Sequence, residues 1–226
     1  MADTARKQKL AIRLTYYFLG LIIMAVGISM TIRADIGVAP GGVLPFAVSK
    51  LTPLRVGLCI SIFQILCVLV QFSITRRATL KLALQLLMAY VFGLLIDIFY
   101  VLFNVELSIM SFRILLLLAG LFIFSFGIRI IIGAAILLVP PDALAFTIGD
   151  KFGWAKSRAK LVFDVAVTFA AALLTLTVAG NAFLTVGIGT VICAIGTGPI
   201  IALFTKLFPF FDVQKAGEPP PDISGL

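Results

Sequence analysis

The chain contains no histidine. That removes the commonest general base and the commonest metal-ligating ring. The three cysteines, Cys59, Cys67 and Cys193, stand at spacings that form neither a metal nor a redox motif, and they read as small packing residues. No serine or cysteine has a base within reach and no ligand cluster exists, so we expect no enzyme, no cofactor and no metal. Charge is scarce as well. Charged residues make up 12% of the chain and hydrophobic ones 62%, whereas soluble domains run at roughly 25% charged and 45 to 50% apolar. A soluble fold is excluded.

Long apolar runs take the place of charge. A membrane span needs about 20 apolar residues, and Leu14 to Ile32 and Val56 to Thr75 supply two without any charge. Four more, Leu82 to Phe103, Ile114 to Ile132, Leu161 to Val178 and Thr185 to Leu207, admit a few ionisable residues. The prediction is an all-α membrane protein with six transmembrane helices, residues 1–226 forming one membrane domain. The first run is too long for a signal-peptide core and is read as a retained helix. The segment 209–226, ending in a proline-rich polar stretch, is expected to be a disordered cytoplasmic tail.

The net charge of +8 is read as topology rather than as a nucleic-acid footprint. With the N-terminus inside, thirteen cations, Lys160 among them, fall in cytoplasmic segments. Four, Arg33, Lys50, Arg55 and Arg113, fall outside, and Arg129 within a helix completes the 18. Both termini are therefore expected in the cytoplasm.

The two halves match at a gap-free offset of 100 residues. Between Gly20 and Gln64 twelve positions equal their partners: Gly20, Leu21, Ile23, Gly27, Ile28, Ile32, Ala34, Ile36, Pro40, Leu44, Phe46 and Phe63. Later, Gly93 to Phe103 aligns with Gly198 to Phe208, displaced five residues further, and Ala202 stands where Asp97 does. Each half, about 11–103 and 111–208, holds three spans. An odd number reverses the second half in the membrane, which predicts inverted repeats about an in-plane pseudo-two-fold axis.

Each half also contains an interrupted stretch, Ala34 to Lys50 and Ala134 to Asp150. The first is too apolar for an exposed loop and too broken by Gly37, Pro40, Gly41, Gly42 and Pro45 to span. Gly41 to Leu51 would make a half-helix of about 16 Å, enough to reach the bilayer middle. Pro40 suits its first position. A half-helix that begins inside the protein aims free N–H groups and partial positive charge at the centre, favouring an anion, a carboxylate or the negative end of a zwitterion. Flat amphipathic helices at the membrane surface are the other reading. Asp142, after Pro140 and Pro141, reads as a cap for free amides or as a contact for a cationic group.

Ionisable residues within spans are costly and tend to face a cavity or a partner. Asp97, Arg129 and Asp164 qualify, with Gln64 as the repeat partner of Asp164. Asp97 is the deepest and reads as a proton or cation site, or as the partner of Arg129 or of a neighbouring helix. Arg129, near a helix end, can also snorkel. Thr190, Ala194, Gly198 and Ala202 lay a stripe of small residues along the last span, suited to internal packing, to a homodimer or partner seam, or to a pore lining.

The run Gly27-Ile-Ser-Met-Thr-Ile-Arg-Ala34-Asp-Ile-Gly37-Val-Ala-Pro40 continues through Val43 to Lys50 and Thr52-Pro-Leu-Arg-Val-Gly57. Together with Val186-Gly-Ile-Gly-Thr-Val191 and Gly198-Pro199 it resembles the YczE/YyaS/YitT family of bacterial integral membrane proteins, over Leu14 to Phe208. The resemblance implies a bacterial inner-membrane protein and says little about substrate. It also implies an aspartate two residues after the motif proline: Asp142 fits, Gly42 does not, and Leu137 replaces a usual glycine.

These features point to a small secondary transporter or facilitator of a small polar or anionic solute. Its candidate site residues are Pro40, Gly41, Gly42, Gln64, Asp97, Arg129, Pro140, Asp142 and Asp164. The competing expectation is a non-transporting accessory protein that contacts a partner through the small face of the last span.

Overall fold

The computed structural model describes residues 2–77, 79–104 and 109–209, with side chains from Ala11 onward. The tail beyond Pro209 and residues 105–108, which join the two halves, lie outside the described residues. The helices are α1 (Ala2–Ala34), α2 (Pro40–Leu51), α3 (Val56–Thr75), α4 (Leu80–Leu102), α5 (Met110–Ala134), α6 (Pro140–Phe152), α7 (Lys156–Ala179) and α8 (Ile188–Leu207). A 3-10 turn, Ala182–Leu184, precedes α8, and no strand occurs among the described residues. Among the described residues six helices are long and apolar enough to cross a membrane: α1 from Ala11, α3, α4, α5, α7 and α8. Only Val56–Thr75 keeps both predicted bounds; the other spans shift by one to five residues at one or both ends, and two of the shifts have a local cause or consequence. The last span starts at Ile188 rather than Thr185, because the Asn181 side chain accepts from the Phe183 N–H at 2.9 Å and holds the 3-10 turn. The fifth starts at Lys156 rather than Leu161, which draws Lys160 into the helix.

The half-helices form where the interrupted stretches predict them, and the chain enters both the same way. Asp35 and Ala135 end α1 and α5 in the left-handed region, each with φ 52°, and their N–H groups donate to the Ile32 and Ile132 carbonyls at 3.2 and 3.1 Å. Extended residues Ala39 and Val139 then lead to Pro40 and Pro140, whose missing N–H leaves no bond unmade at a first helical position. With 12 and 13 residues, α2 and α6 measure about 18 and 20 Å. End to end they match the roughly 37 Å of the 25-residue α5. Both pack inside the bundle, not along its outside: α2 lies on α3 and α7, and α6 on α7 and α3. Val43, Phe46 and Ala47 of α2 and Ala143, Leu144 and Ala145 of α6 are buried there.

The centre of the bundle is the antiparallel crossing of α1 and α5, where glycines let the backbones touch. Gly27 faces Gly120, and a Cβ on Gly27 would lie 2.7 Å from the Gly120 carbonyl oxygen. Gly127 faces Gly20, with the corresponding distance 2.9 Å. The repeat partners Gly20 and Gly120, and Gly27 and Gly127, thus contact each other crosswise.

The third long helix of each half holds the loop ahead of the other half's half-helix. From α8 the Gly189 N–H donates to the Ile36 carbonyl at 2.8 Å. Gly37 here has φ 115°, a conformation open to glycine, and a Cβ would fall 2.6 Å from the Thr190 nitrogen. From α4 the Gln85 Nε2 donates to the Leu138 carbonyl at 3.2 Å.

The halves differ at one contact. In the first, α3 and α4 are pressed together: a Cβ on Gly57 would land on the Gly93 carbonyl, and the Ser61 hydroxyl donates to the Ala89 carbonyl at 3.1 Å. On α8 the equivalents of Ala89, Gly93 and Asp97 are Ala194, Gly198 and Ala202, and all three are exposed. Among the described residues, no atom beyond its own helix lies within 4 Å of a Cβ built on Gly198. α8 leans on α5, and α7 makes no comparable contact with it. Thr190 leaves the predicted stripe, buried at the start of α8 against Gly37.

Candidate functional site

The starts of both half-helices meet at one ammonium group. Lys160, one turn into α7, places Nζ 2.7 Å from Asp142 Oδ1 in the first turn of α6. The same Nζ lies 2.9 Å from Asp164 Oδ1, one turn further along α7. α2 approaches the same group: a Cβ on Gly41 would have Lys160 Nζ at 3.9 Å and, among the described residues, no other neighbour beyond its own helix within 4 Å. Beside it, a Cβ on Gly42 would meet only Ile28 Cδ1, at 3.5 Å. The Lys160, Asp142 and Asp164 side chains are 35%, 32% and 21% exposed, so the cluster opens to its surroundings.

The charges nearly cancel. Two carboxylates and one ammonium sum to −1, while each helix start contributes roughly half a positive charge. Such a site can take up a polar guest without a large uncompensated charge at rest.

Of the residues singled out in the sequence, Pro40, Gly41, Gly42, Pro140, Asp142 and Asp164 gather at this cluster or at the helix starts that form it. Asp142 does not act as a side-chain cap of α6; its carboxylate bonds Lys160 instead. Gln64 is buried on α3. Asp97 stands elsewhere, with Oδ1 accepting from the Gly57 N–H at 2.6 Å and Oδ2 3.8 Å from Arg55 Nε. It closes the start of α3 from the neighbouring helix, and its cationic partner is Arg55 rather than Arg129. Arg129, 1% exposed, donates from Nη2 to the Phe208 carbonyl at 3.1 Å and so satisfies the end of α8. Arg33 does the same for α4, donating to the Tyr100 carbonyl at 2.9 and 2.6 Å with its guanidinium over the Tyr100 ring.

Lys160 is the residue that sequence reasoning assigned to the cytoplasmic cations. Two signals mark it: the four-residue spacing to Asp164, and a repeat partner, Ile60, that lies one turn inside an apolar span.

The sequence model of a family of unknown function, DUF6198, matches residues 11–206. The chain belongs to this family. Two relatives are proteins of Bacillus subtilis (strain 168). The uncharacterized membrane protein YczE is 30% identical over 197 residues, covering 86% of each chain. The uncharacterized protein YyaS is 24% identical over 194 residues, covering 85% of this chain and 92% of its own. Both names belong to the family that the first interrupted motif resembles. No solved structure matches. This DUF6198 chain is a multi-pass membrane protein, and its candidate site lies in the part matched by the family.

Proposed function

We propose that the protein is a small secondary transporter or facilitator that carries a small polar or anionic solute past Lys160. One observation carries the reading: α2 and α6, the half-helices of the two halves, both start at the same partly exposed ionic cluster inside the bundle. Half-helix starts facing each other near the midplane are how inverted-repeat carriers build a binding site.

The inverted-repeat part of the reading draws support from three features. Asp35 and Ala135 share one backbone geometry. The glycine contacts between α1 and α5 are crosswise. The packing of α2 on α7 is mirrored by that of α6 on α3. The unequal third contact then has a role. A carrier at rest on one side has one half closed and the other open, as α3 on α4 and α7 apart from α8 are. The cation bias of the segments supports both termini in the cytoplasm, and the Bacillus subtilis relatives support a bacterial inner-membrane location.

The test is solute uptake by the purified chain in liposomes. Uptake that Lys160→Met and Asp164→Asn each abolish, in folded protein, supports the proposal. Uptake by neither variant nor parent, across a broad panel of metabolites, rejects it.

A second reading, the accessory protein, is favoured by the bare face of Ala194, Gly198 and Ala202. It requires a stoichiometric partner that co-purifies and cross-links at Gly198→Cys.

A further inference from the structure

We infer that the solute is a small zwitterion of the amino-acid kind, which trades ion-pair partners with Lys160; this deepens the transport reading above and rests on it. The solute's ammonium takes the place of Lys160 between Asp142 and Asp164. Its carboxylate is received by the displaced Lys160 ammonium and the start of α2.

The ammonium half of the site is already filled by an ammonium. Lys160 Nζ sits 2.7 and 2.9 Å from carboxylates on two different helices, which is the spacing of charge-assisted hydrogen bonds. The pair therefore accepts a primary ammonium, and here the protein supplies it from its own chain.

The carboxylate half is defined by space. Gly41 and Gly42 present no side chain, and beyond their own helix only Lys160 Nζ and Ile28 Cδ1 come within 4 Å of the Cβ positions. The Gly42 N–H is engaged by the Ala39 carbonyl at 2.9 Å, while the Gly41 N–H, second in the helix, comes before the first intrahelical bond and is left to a guest. The α6 start is unlike this. Pro140 and Pro141 have no N–H, and Asp142 adds negative charge, so α6 is unsuited to an anion. In the repeat, Gly42, Ile60 and Gln64 correspond to Asp142, Lys160 and Asp164. All three charges have gathered on one copy, and the resulting site has one end for each sign.

Charge balance selects between guests. The three side chains and two helix starts sum close to zero. A lone cation or anion leaves about one unit charge in a low-dielectric bundle, whereas a zwitterion turns two ion pairs into three and changes the sum not at all.

The test uses the full chain in detergent, with thermal unfolding measured against glycine, β-alanine and other primary-amine zwitterions. Acetate, methylammonium and trimethylated glycine are added at the same concentrations. We expect a rise in Tm with at least one primary-amine zwitterion, at concentrations about tenfold or more below those at which its separate fragments or the trimethylated form act, because the latter leave polar groups unpaired. Gly41→Val fills the carboxylate space while keeping all three charges, and should weaken the response at least about tenfold. The inference is overturned if acetate or methylammonium acts as well as the zwitterion, or if Gly41→Val changes nothing. Liposome uptake of a mono-ionic solute would sink the zwitterion and leave transport standing. Neither uptake nor thermal response to any solute would sink both.

Discussion

The Lys160 ammonium lies 2.7 Å from the Asp142 carboxylate and fastens α7 to the first turn of α6. Removing one partner from a buried ion pair costs about 3 to 5 kcal/mol. The partial exposure of all three groups here reduces that to about 1 to 3 kcal/mol. Lys160→Met is therefore expected to lower Tm, and adding Asp164→Asn should recover part of the loss by removing a carboxylate left without a cation. Equal Tm values in the parent and both variants would mean that solvent screens the cluster completely.

Two glycines at repeat-equivalent helix contacts should respond oppositely to one added methyl group. In α3, a Cβ on Gly57 lands on the Gly93 carbonyl and 2.6 Å from the Asp97 carboxyl carbon, so Gly57→Ala must push α3 from α4. A loss of about 2 kcal/mol or more is expected, as for other overpacked contacts. On α8, the partner of Gly93 is Gly198, which among the described residues has no neighbour beyond its own helix within 4 Å. Gly198→Ala should be neutral or gain up to about 1 kcal/mol from helix propensity. Thermal unfolding of the two variants side by side checks this, and a large loss at Gly198 would mean that α8 is covered in the purified protein.

The six spans were legible because each is a nearly continuous apolar run, and the half-helices because Pro40 and Pro140 follow stretches too broken to span. The glycines at 20, 27, 120 and 127 were legible as repeats, but their crosswise contact depends on tertiary packing. Lys160 was hidden by a boundary: a span drawn from Leu161 leaves the lysine outside, where a cation is ordinary, and α7 starts at Lys156. The place of Asp97, away from the Lys160 cluster, was not legible for a different reason. Depth in a span marked it as functional, yet which carboxylate meets a helix start and which meets a lysine is decided by helix–helix register.

Asp97→Asn separates those two roles. Asparagine keeps an oxygen to accept from the Gly57 N–H but loses the charge that favours the start of α3. The Arg55 pair adds little, since Arg55 is 75% exposed and 3.8 Å away. The expected outcome is a loss of about 0.5 to 1 kcal/mol in stability with solute response unchanged, whereas Asp142→Asn should abolish the response. A carrier that stays folded with Asp97→Asn yet loses transport would return Asp97 to the site.

The gap between α7 and α8 supplies the sharpest test of alternating access. If the second half can adopt the closed form of the first, Ser157 and Gly198 come together as Gly57 and Gly93 do, since they are the repeat partners of that pair. A disulfide requires Cα atoms within about 7 Å, so a Ser157→Cys, Gly198→Cys pair, with Cys59, Cys67 and Cys193 replaced by alanine, reports closure. The transported solute should speed formation of an intramolecular disulfide under mild oxidant, and the bond should stop transport until reductant is added. A disulfide joining two chains through Gly198→Cys would instead make the bare face of α8 a seam between copies. A rate that the solute leaves unchanged would count against closure of α7 on α8 as a step in transport.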